Sequence, residues 1–232
     1  MSVSDKIRDL FFPPKCILCN RLIKRRVAFC DRCLPEVPFV EGKICRVCGI
    51  PLSEEFPSPI CARCREIKPA FQSNTSLLEH KQFGRRSVLA MKYEKPYAAY
   101  DLARLLAYRL SSEQRQVDCI TSVPMRRWDE WRSGRNVAYT LALYIAKTLS
   151  IPHKEVLCKV RKTEKQKTLS AHQRVFNVRG AYAVHGDVSG QRILLIDDVF
   201  TTGATLNECA KVLKRAGAAC VYTATVSIRD RL

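Results

Sequence analysis

A segment of thirteen residues, 193–205, constrains the fold of this chain more than any other feature. It reads Ile-Leu-Leu-Ile-Asp-Asp-Val-Phe-Thr-Thr-Gly-Ala-Thr. The four apolar residues at its start suit a strand buried on both faces, as strands of parallel sheets are. We therefore expect Asp197 and Asp198 to emerge where this strand leaves the sheet, at the end where ligands bind in α/β folds.

The residues of this segment also have the chemistry of a ligand site. Asp197 and Asp198 repel each other and need cations or hydroxyl donors, which the vicinal hydroxyls of a ribose supply together with magnesium. The loop that follows offers hydroxyls, a glycine and amides at the start of a helix, a combination that binds phosphate. Its members are Thr201, Thr202, Gly203, Ala204 and Thr205. Taken singly, Asp-Asp also suits a turn and Thr-Thr-Gly-Ala a helix cap.

Joined at this spacing, the two halves resemble the signature of type I phosphoribosyltransferases. A P-loop is excluded because no lysine follows the glycine. The resemblance implies an α/β fold, a mainly parallel sheet flanked by helices, that binds 5-phosphoribosyl pyrophosphate with magnesium. It assigns the 5-phosphate to residues 201–205 and the ribose to Asp197 and Asp198.

The pattern of the rest of the second segment agrees with this fold. Alternating strands and helices predict a mainly parallel sheet with helices on both faces. We expect helices at 87–110, with a break at Pro96, at 136–149 and at 204–216, and strands at 117–123, 156–160, 180–184, 192–196 and 220–228.

Eight of the twelve cysteines form four Cys-x-x-Cys pairs near the start of the chain. Two such pairs brought together make the four-sulfur cage that zinc prefers. The similar intervals predict two zinc ribbons, one held by Cys16, Cys19, Cys30 and Cys33 and the other by Cys45, Cys48, Cys61 and Cys64. An interleaved arrangement stays open, whereas a redox dithiol or an iron–sulfur cluster suits four evenly spaced pairs less well.

We therefore expect a double zinc ribbon over residues 1–70 and a phosphoribosyltransferase domain over 71–232. The first segment has too few large apolar residues to form a core without a cross-link. Sites closed by four sulfurs leave no open position for water, so the expected role of zinc is structural. The single cysteines are expected in the core: Cys119, Cys158, Cys209 and Cys220.

Net charge indicates which partners to expect, and hydropathy indicates where the protein is located. The formal net charge is +18, and residues 71–232 hold 27 basic against 14 acidic residues. This excess favours phosphate-bearing partners, although a merely basic protein is the simpler alternative. We find no apolar run of about 18 residues and no signal peptide, so we expect a cytoplasmic protein.

Further motifs resemble those of the ComF (competence protein F) family: residues 123–128, 132–136, 161–166 and 174–182, and Met91-Lys-Tyr. The resemblance implies a protein of competence that acts in uptake of transforming single-stranded DNA. It implies a pyrophosphate site near Ser122, Val123 and Arg126. It also implies a mobile hood over 161–174 that brings positive charge to that site. The basic residues of this hood are Arg161, Lys162, Lys165, Lys167 and Arg174. A plain exposed basic loop is the alternative for this segment.

The activity itself stays open at this point. The chain is expected to be an active phosphoribosyltransferase with an unidentified acceptor, a DNA-uptake factor that binds without turnover, or a nucleotide-sensing regulator. Basic and aromatic residues lie together at 126–139, with Arg126, Arg127, Arg132 and Arg135 beside Trp128, Trp131 and Tyr139. This cluster predicts weak binding of single-stranded DNA. The alternative is that the arginines serve the pyrophosphate and the surface and that both tryptophans are helix or core residues.

Overall fold

The computed structural model describes residues 13–23, 27–125, 136–161 and 171–229. Its centre is a four-stranded parallel sheet in the order β1-β6-β5-β2. The strands are β1 (Ser73–Glu79), β2 (Cys119–Ser122), β5 (Arg192–Phe200) and β6 (Cys220–Ile228). A separate antiparallel pair is formed by β3 (Leu157–Lys159) and β4 (Tyr182–Val184).

Helices cover both faces of the sheet, as the sequence predicts. The described helices are α1 (Ala62–Ile67), α2 (Gln82–Leu89), α3 (Pro96–Ser112), α4 (Val137–Leu149), α5 (Ala171–Val178) and α6 (Ala204–Arg215). α3 and α4 pack on one face, and α6 packs on the other. Side chains of β5 enter the two cores in turn, since Leu194 and Ile196 face the first while Ile193 and Leu195 face the second. The strand is therefore buried on both faces, as expected.

The structure corrects one expectation about the two aspartates. They do not emerge where the strand leaves the sheet, because β5 continues to Phe200. Its pairing with β2 ends at Ser122 and Ile196, whereas β6 is nine residues long and pairs with β5 as far as Ile228 and Phe200. Within the described residues, Asp197 and Asp198 thus lie in a part of β5 that pairs with a strand on one side only.

Strand β1 is absent from the sequence-based prediction. Its sequence, Ser-Asn-Thr-Ser-Leu-Leu-Glu, looks like a loop followed by a short apolar stretch. The polar side chains are nevertheless buried, because neighbouring strands satisfy them: Ser76 Oγ lies 2.7 Å from Thr225 Oγ1, and Thr223 Oγ1 lies 2.9 Å from Asn74 Oδ1. The antiparallel pairing of β3 with β4 is likewise absent from the prediction.

The break expected at Pro96 is confirmed, with an additional feature before it. Residues Ala90–Glu94 form a π-helix between α2 and α3, and α3 starts at Pro96. Proline suits the first turn of a helix because its missing N–H has no partner there. π-Helical turns often occur at functional sites, and this one contains Lys92.

The cysteine-rich segment packs directly on the sheet and its helices. Lys95 Nζ donates to the carbonyl of Ile17 (2.6 Å), and Arg109 donates to the carbonyl of Val40 (2.6 Å). Ile17 and Leu18 share a core with Leu102 and Leu106 of α3. Since each core contains residues from both parts of the chain, the division at residue 70 stays a prediction. Within the described residues no helix combines the length and the apolar character needed to cross a membrane.

Candidate functional site

The eight paired cysteines form two groups of four thiols. Cys16, Cys19, Cys30 and Cys33 make one group, and Cys45, Cys48, Cys61 and Cys64 make the other. Within each group the sulfur atoms lie within 4.8 Å of one another, so the grouping is sequential and not interleaved. Backbone amides support the sulfurs, since the Cys61 N–H donates to Cys45 Sγ (3.3 Å) and the Cys30 N–H to Cys16 Sγ (3.4 Å). Four sulfurs at this spacing fit a structural zinc ion.

The two aspartates lie at the carboxyl edge of the sheet in different electrostatic surroundings. Asp198 forms an ion pair with Lys92 of the π-helix. Burial, and secondly the charge of Asp198, raise the pKa of Asp197 to about 7. The Asp198 N–H donates to Asp197 Oδ1 (2.8 Å). Burial acts to lower the pKa of Lys92, but the carboxylate of Asp198 outweighs it and the pKa is raised. The carboxylate of Asp198 is thus paired with a cation, whereas the pKa of Asp197 lies close to neutral pH.

The surroundings of this edge are basic. His80 follows β1, and its Nδ1 lies 2.9 Å from Ser227 Oγ. Burial lowers the pKa of His80 to about 4, and the charges of Arg229, Arg85 and Lys92 act in the same direction. The imidazole is therefore neutral at pH 7, and the positive field comes from the arginines and the lysine. Such a field attracts anions.

The loop after β5 has the geometry of an anion-binding site. Gly203 has φ +68°, and a Cβ there would lie 2.5 Å from Phe200 Cζ, so only glycine fits. Thr202 Oγ1 accepts from the Ala204 N–H (3.3 Å) as α6 begins. Among the residues that the structure describes, no acceptor binds the N–H groups of Thr202 and Gly203. Unpaired amides at a helix N-terminus are suited to phosphate.

The structure brings Ser122 and Val123 to the same edge. Ser122 pairs with Ile196, and the Val123 N–H donates to the Ile196 carbonyl (2.9 Å), directly before Asp197. Arg161, also predicted at the pyrophosphate site, instead binds the end of α5. Its guanidinium donates to the carbonyls of Asn177 (2.9 Å) and Arg179 (2.8 Å). Several predicted residues fall outside the described part of the chain: Arg126, Arg127, Trp128, Trp131, Arg132, Arg135, Lys162, Lys165, Gln166, Lys167 and the side chain of Arg174.

Two residues at the site were not found by sequence reasoning. Lys92 belongs to the Met91-Lys-Tyr motif, which gave no indication of an ion pair with Asp198. Arg63 of the second ribbon donates to the carbonyl of Thr202 (2.6 Å) across 139 residues of sequence. Beside this contact, a cavity of about 460 Å³ is lined by residues of the ribbon, of the phosphate loop and of α6. No local pattern indicates either contact, because both depend on how distant segments dock.

Comparisons with known families match two segments of the chain. Residues 7–65 match the family described as double zinc ribbon domain. Residues 132–231 match the family described as phosphoribosyl transferase domain.

Similar proteins extend over most of the chain. The DNA utilization protein YhgH of Salmonella typhimurium is 32% identical over 217 residues, which cover 89% of this chain and 86% of that protein. Competence protein F of Haemophilus influenzae is 28% identical over 218 residues, 89% of this chain and 93% of that protein. Among solved structures, glutamine phosphoribosylpyrophosphate amidotransferase from B. subtilis is 22% identical with a TM-score of 0.43, over 60% of this chain and 30% of that one.

Proposed function

Because this chain belongs to the family of DNA utilization protein YhgH and competence protein F, we propose that it binds 5-phosphoribosyl pyrophosphate and acts in the uptake and use of single-stranded DNA. The observation that supports the ligand is that two features follow each other directly in the chain. Asp197 and Asp198 lie near the end of β5, and the loop of residues 201–205 follows directly at the start of α6. This is the arrangement that a sugar phosphate needs.

Each part of the ligand has a chemical partner in this proposal. The 5-phosphate takes the amides and hydroxyls of residues 201–205. The ribose hydroxyls donate to Asp197 and Asp198, and magnesium bound with the donor would neutralise negative charge on the pyrophosphate. The pyrophosphate lies beside Ser122 and Val123, with Arg126, Arg161 and Lys162 as basic partners. For Arg161 this role requires release of the two carbonyls at the end of α5.

In this proposal Lys92 also takes part in ligand binding. Its ammonium group is paired with Asp198, so that carboxylate is available to a sugar only if the pair loosens or shares the oxygen atoms. Magnesium or a ribose hydroxyl at Asp198 would compete with Lys92 for the same oxygens. Lys92 would then turn to the pyrophosphate, which carries the opposite charge. Zinc has no step in this scheme, and the two cysteine groups supply the cross-links of the ribbons.

Titration calorimetry with 5-phosphoribosyl pyrophosphate and magnesium tests the proposal. We expect binding by the parent protein and at least about tenfold weaker binding by the Asp197→Asn/Asp198→Asn double variant, because hydrogen bonds to charged groups contribute about 1.5–3 kcal/mol each. Asp187→Asn is the matched control, since Asp187 is an exposed aspartate outside the site. Absence of binding by the parent, or equal binding by the double variant, contradicts the ribose assignment.

A second candidate function is turnover, as an active phosphoribosyltransferase of nucleotide metabolism with an unidentified acceptor. The basic edge formed by Lys92, Arg85 and Arg229 favours it, because fixed positive charge stabilises a departing pyrophosphate. In that reaction the acceptor bonds to C1 of the ribose as the bond to pyrophosphate breaks. Release of pyrophosphate in the presence of candidate bases and amines would support turnover. Binding without release supports the non-catalytic function.

A further inference from the structure

The second zinc ribbon contacts the phosphate loop through one arginine. Arg63 lies between the zinc-ligand cysteines Cys61 and Cys64, and its guanidinium donates to the carbonyl of Thr202 (2.6 Å). We propose that Arg63 is a positioning residue, through which the second zinc site holds the phosphate loop in its binding conformation. The inference rests on the proposed function, because it assumes that this loop binds a phosphate group.

The geometry of the peptide bond explains how a contact behind the loop acts on its binding side. In a trans peptide the carbonyl of one residue and the N–H of the next point in opposite directions. Arg63 holds the carbonyl of Thr202 toward the ribbon, so the Gly203 N–H points away from it. Gly203 is in the left-handed region, where a flexible glycine populates several orientations unless something fixes them. The bond from Arg63 supplies that restraint.

The ribbon is a firm support for this bond. α1 has six residues, too few for a stable isolated helix, and Cys61 and Cys64 tie its start to the sulfur group. The first Cys-x-x-Cys turn of this ribbon is attached to β1. The backbone and side-chain amides of Asn74 donate to the carbonyls of Val47 (2.8 Å) and Cys48 (3.0 Å). The arginine is therefore anchored to the sheet through the metal site.

A second contact holds the other side of the same loop. Beyond α1, the Ala70 N–H donates to Asn207 Oδ1 (2.8 Å). The Asn207 N–H in turn donates to the carbonyl of Gly203 (2.8 Å) in the first turn of α6. The carbonyl of Thr202 is thus restrained by Arg63. The carbonyl of Gly203 is restrained by Asn207, whose side chain accepts from the Ala70 N–H. Loss of one restraint leaves the loop attached on a single side.

The test compares Arg63→Ala with Arg65→Ala. Arg65 lies in the same helix and carries the same charge, but it is exposed, and within the described residues its side chain makes no hydrogen bond to the loop. Ribose 5-phosphate is the probe, because it reports on the phosphate loop without the pyrophosphate. We expect affinity to fall roughly tenfold to a hundredfold in Arg63→Ala, the effect of losing one hydrogen bond from a charged group. Arg65→Ala should bind like the parent.

Two further measurements separate positioning from folding. Both variants should retain about two zinc ions by elemental analysis. Amide hydrogen exchange should rise only in Arg63→Ala, at Ala204 and Asn207, whose N–H groups bond to Thr202 Oγ1 and to the carbonyl of Gly203. If Arg63→Ala loses zinc, Arg63→Gln takes its place in the comparison. Glutamine retains most of the aliphatic stem of arginine but lacks the positive charge. Unchanged affinity and unchanged exchange in a zinc-loaded Arg63 variant overturn the inference. Failure of the parent to bind any phosphoribosyl ligand overturns the proposed function instead, and the exchange comparison still decides whether Arg63 holds the loop.

Discussion

Replacement of Asp197 by asparagine should stabilise the protein while it weakens ligand binding. An aspartate in an unfolded chain has a pKa of about 3.9, whereas burial and Asp198 raise the pKa of Asp197 in the folded protein to about 7. The folded state therefore holds a proton that the unfolded state releases between about pH 4 and about pH 7. The stability associated with that proton is full below pH 4 and is lost as the pH rises through 7.

The size of the effect follows from the same shift. A shift of about 3 units at 1.36 kcal/mol each sets an upper limit of about 4 kcal/mol above pH 7. Asp197 is partly exposed at the open side of β5, so we halve this limit for solvent screening. The free energy of unfolding of the Asp197→Asn variant would then exceed that of the parent by about 2 kcal/mol at pH 8 and by about 1 kcal/mol at pH 5.5.

Urea unfolding of the two proteins at both pH values measures this difference directly. Protonation of the zinc-bound thiols at low pH affects both proteins alike and cancels in the comparison. Asp198→Asn is the informative control, because it removes the partner of Lys92 and should destabilise the protein. A variant at position 197 that is less stable than the parent at pH 8, or a difference that does not grow with pH, refutes the reasoning.

Three other predictions concern the metal, the loop and DNA. Elemental analysis should find about two zinc ions per chain, and iron, or a folded protein without metal, would contradict the assignment of the two sulfur groups. Gly203→Ala should destabilise the protein by about 1–3 kcal/mol more than Gly190→Ala in thermal or urea unfolding, because both have φ near +66° but only the first brings a Cβ against Phe200; equal effects would argue against the clash. A labelled single-stranded oligonucleotide should bind weakly and without sequence preference. Its log affinity should fall with log salt at about −0.7 per phosphate contacted, and binding that salt leaves unchanged would exclude the expected electrostatic contact.

The sequence predicted those parts of the site whose residues are close together in the chain. The strand, the aspartate pair and the loop lie within residues 193–205, so composition and spacing were sufficient to propose them. The two groups of cysteines could be predicted in the same way, because each is made of two local turns. Their sequential grouping needed the structure, since spacing alone was also compatible with an interleaved arrangement.

The parts that sequence reasoning missed depend on distant partners. Strand β1 looks like a polar loop until Thr223 and Thr225 of β6 supply hydrogen bonds to its buried side chains. The extension of β5 past Ile196 is set by the length of β6, its partner, and not by its own sequence. Lys92 lies more than a hundred residues before Asp198, and its position depends on a π-helix that no local pattern predicted.

The longer strand changes the physical account of the aspartates. Had they followed the strand as free loop residues, water would have stabilised both charges, and the pKa of Asp197 would have had little reason to rise. In β5 the backbone is fixed by β6, while in the described part of the chain the strand pairing on the side toward β2 ends at Ser122. Asp197 is therefore held in a place that disfavours its charge, and bound magnesium or ribose hydroxyls would relieve the penalty. Ligand binding should then release a proton from Asp197 near pH 7. Calorimetry in buffers of different ionisation enthalpy detects this release, and a heat of binding independent of the buffer would show that Asp197 does not change its protonation.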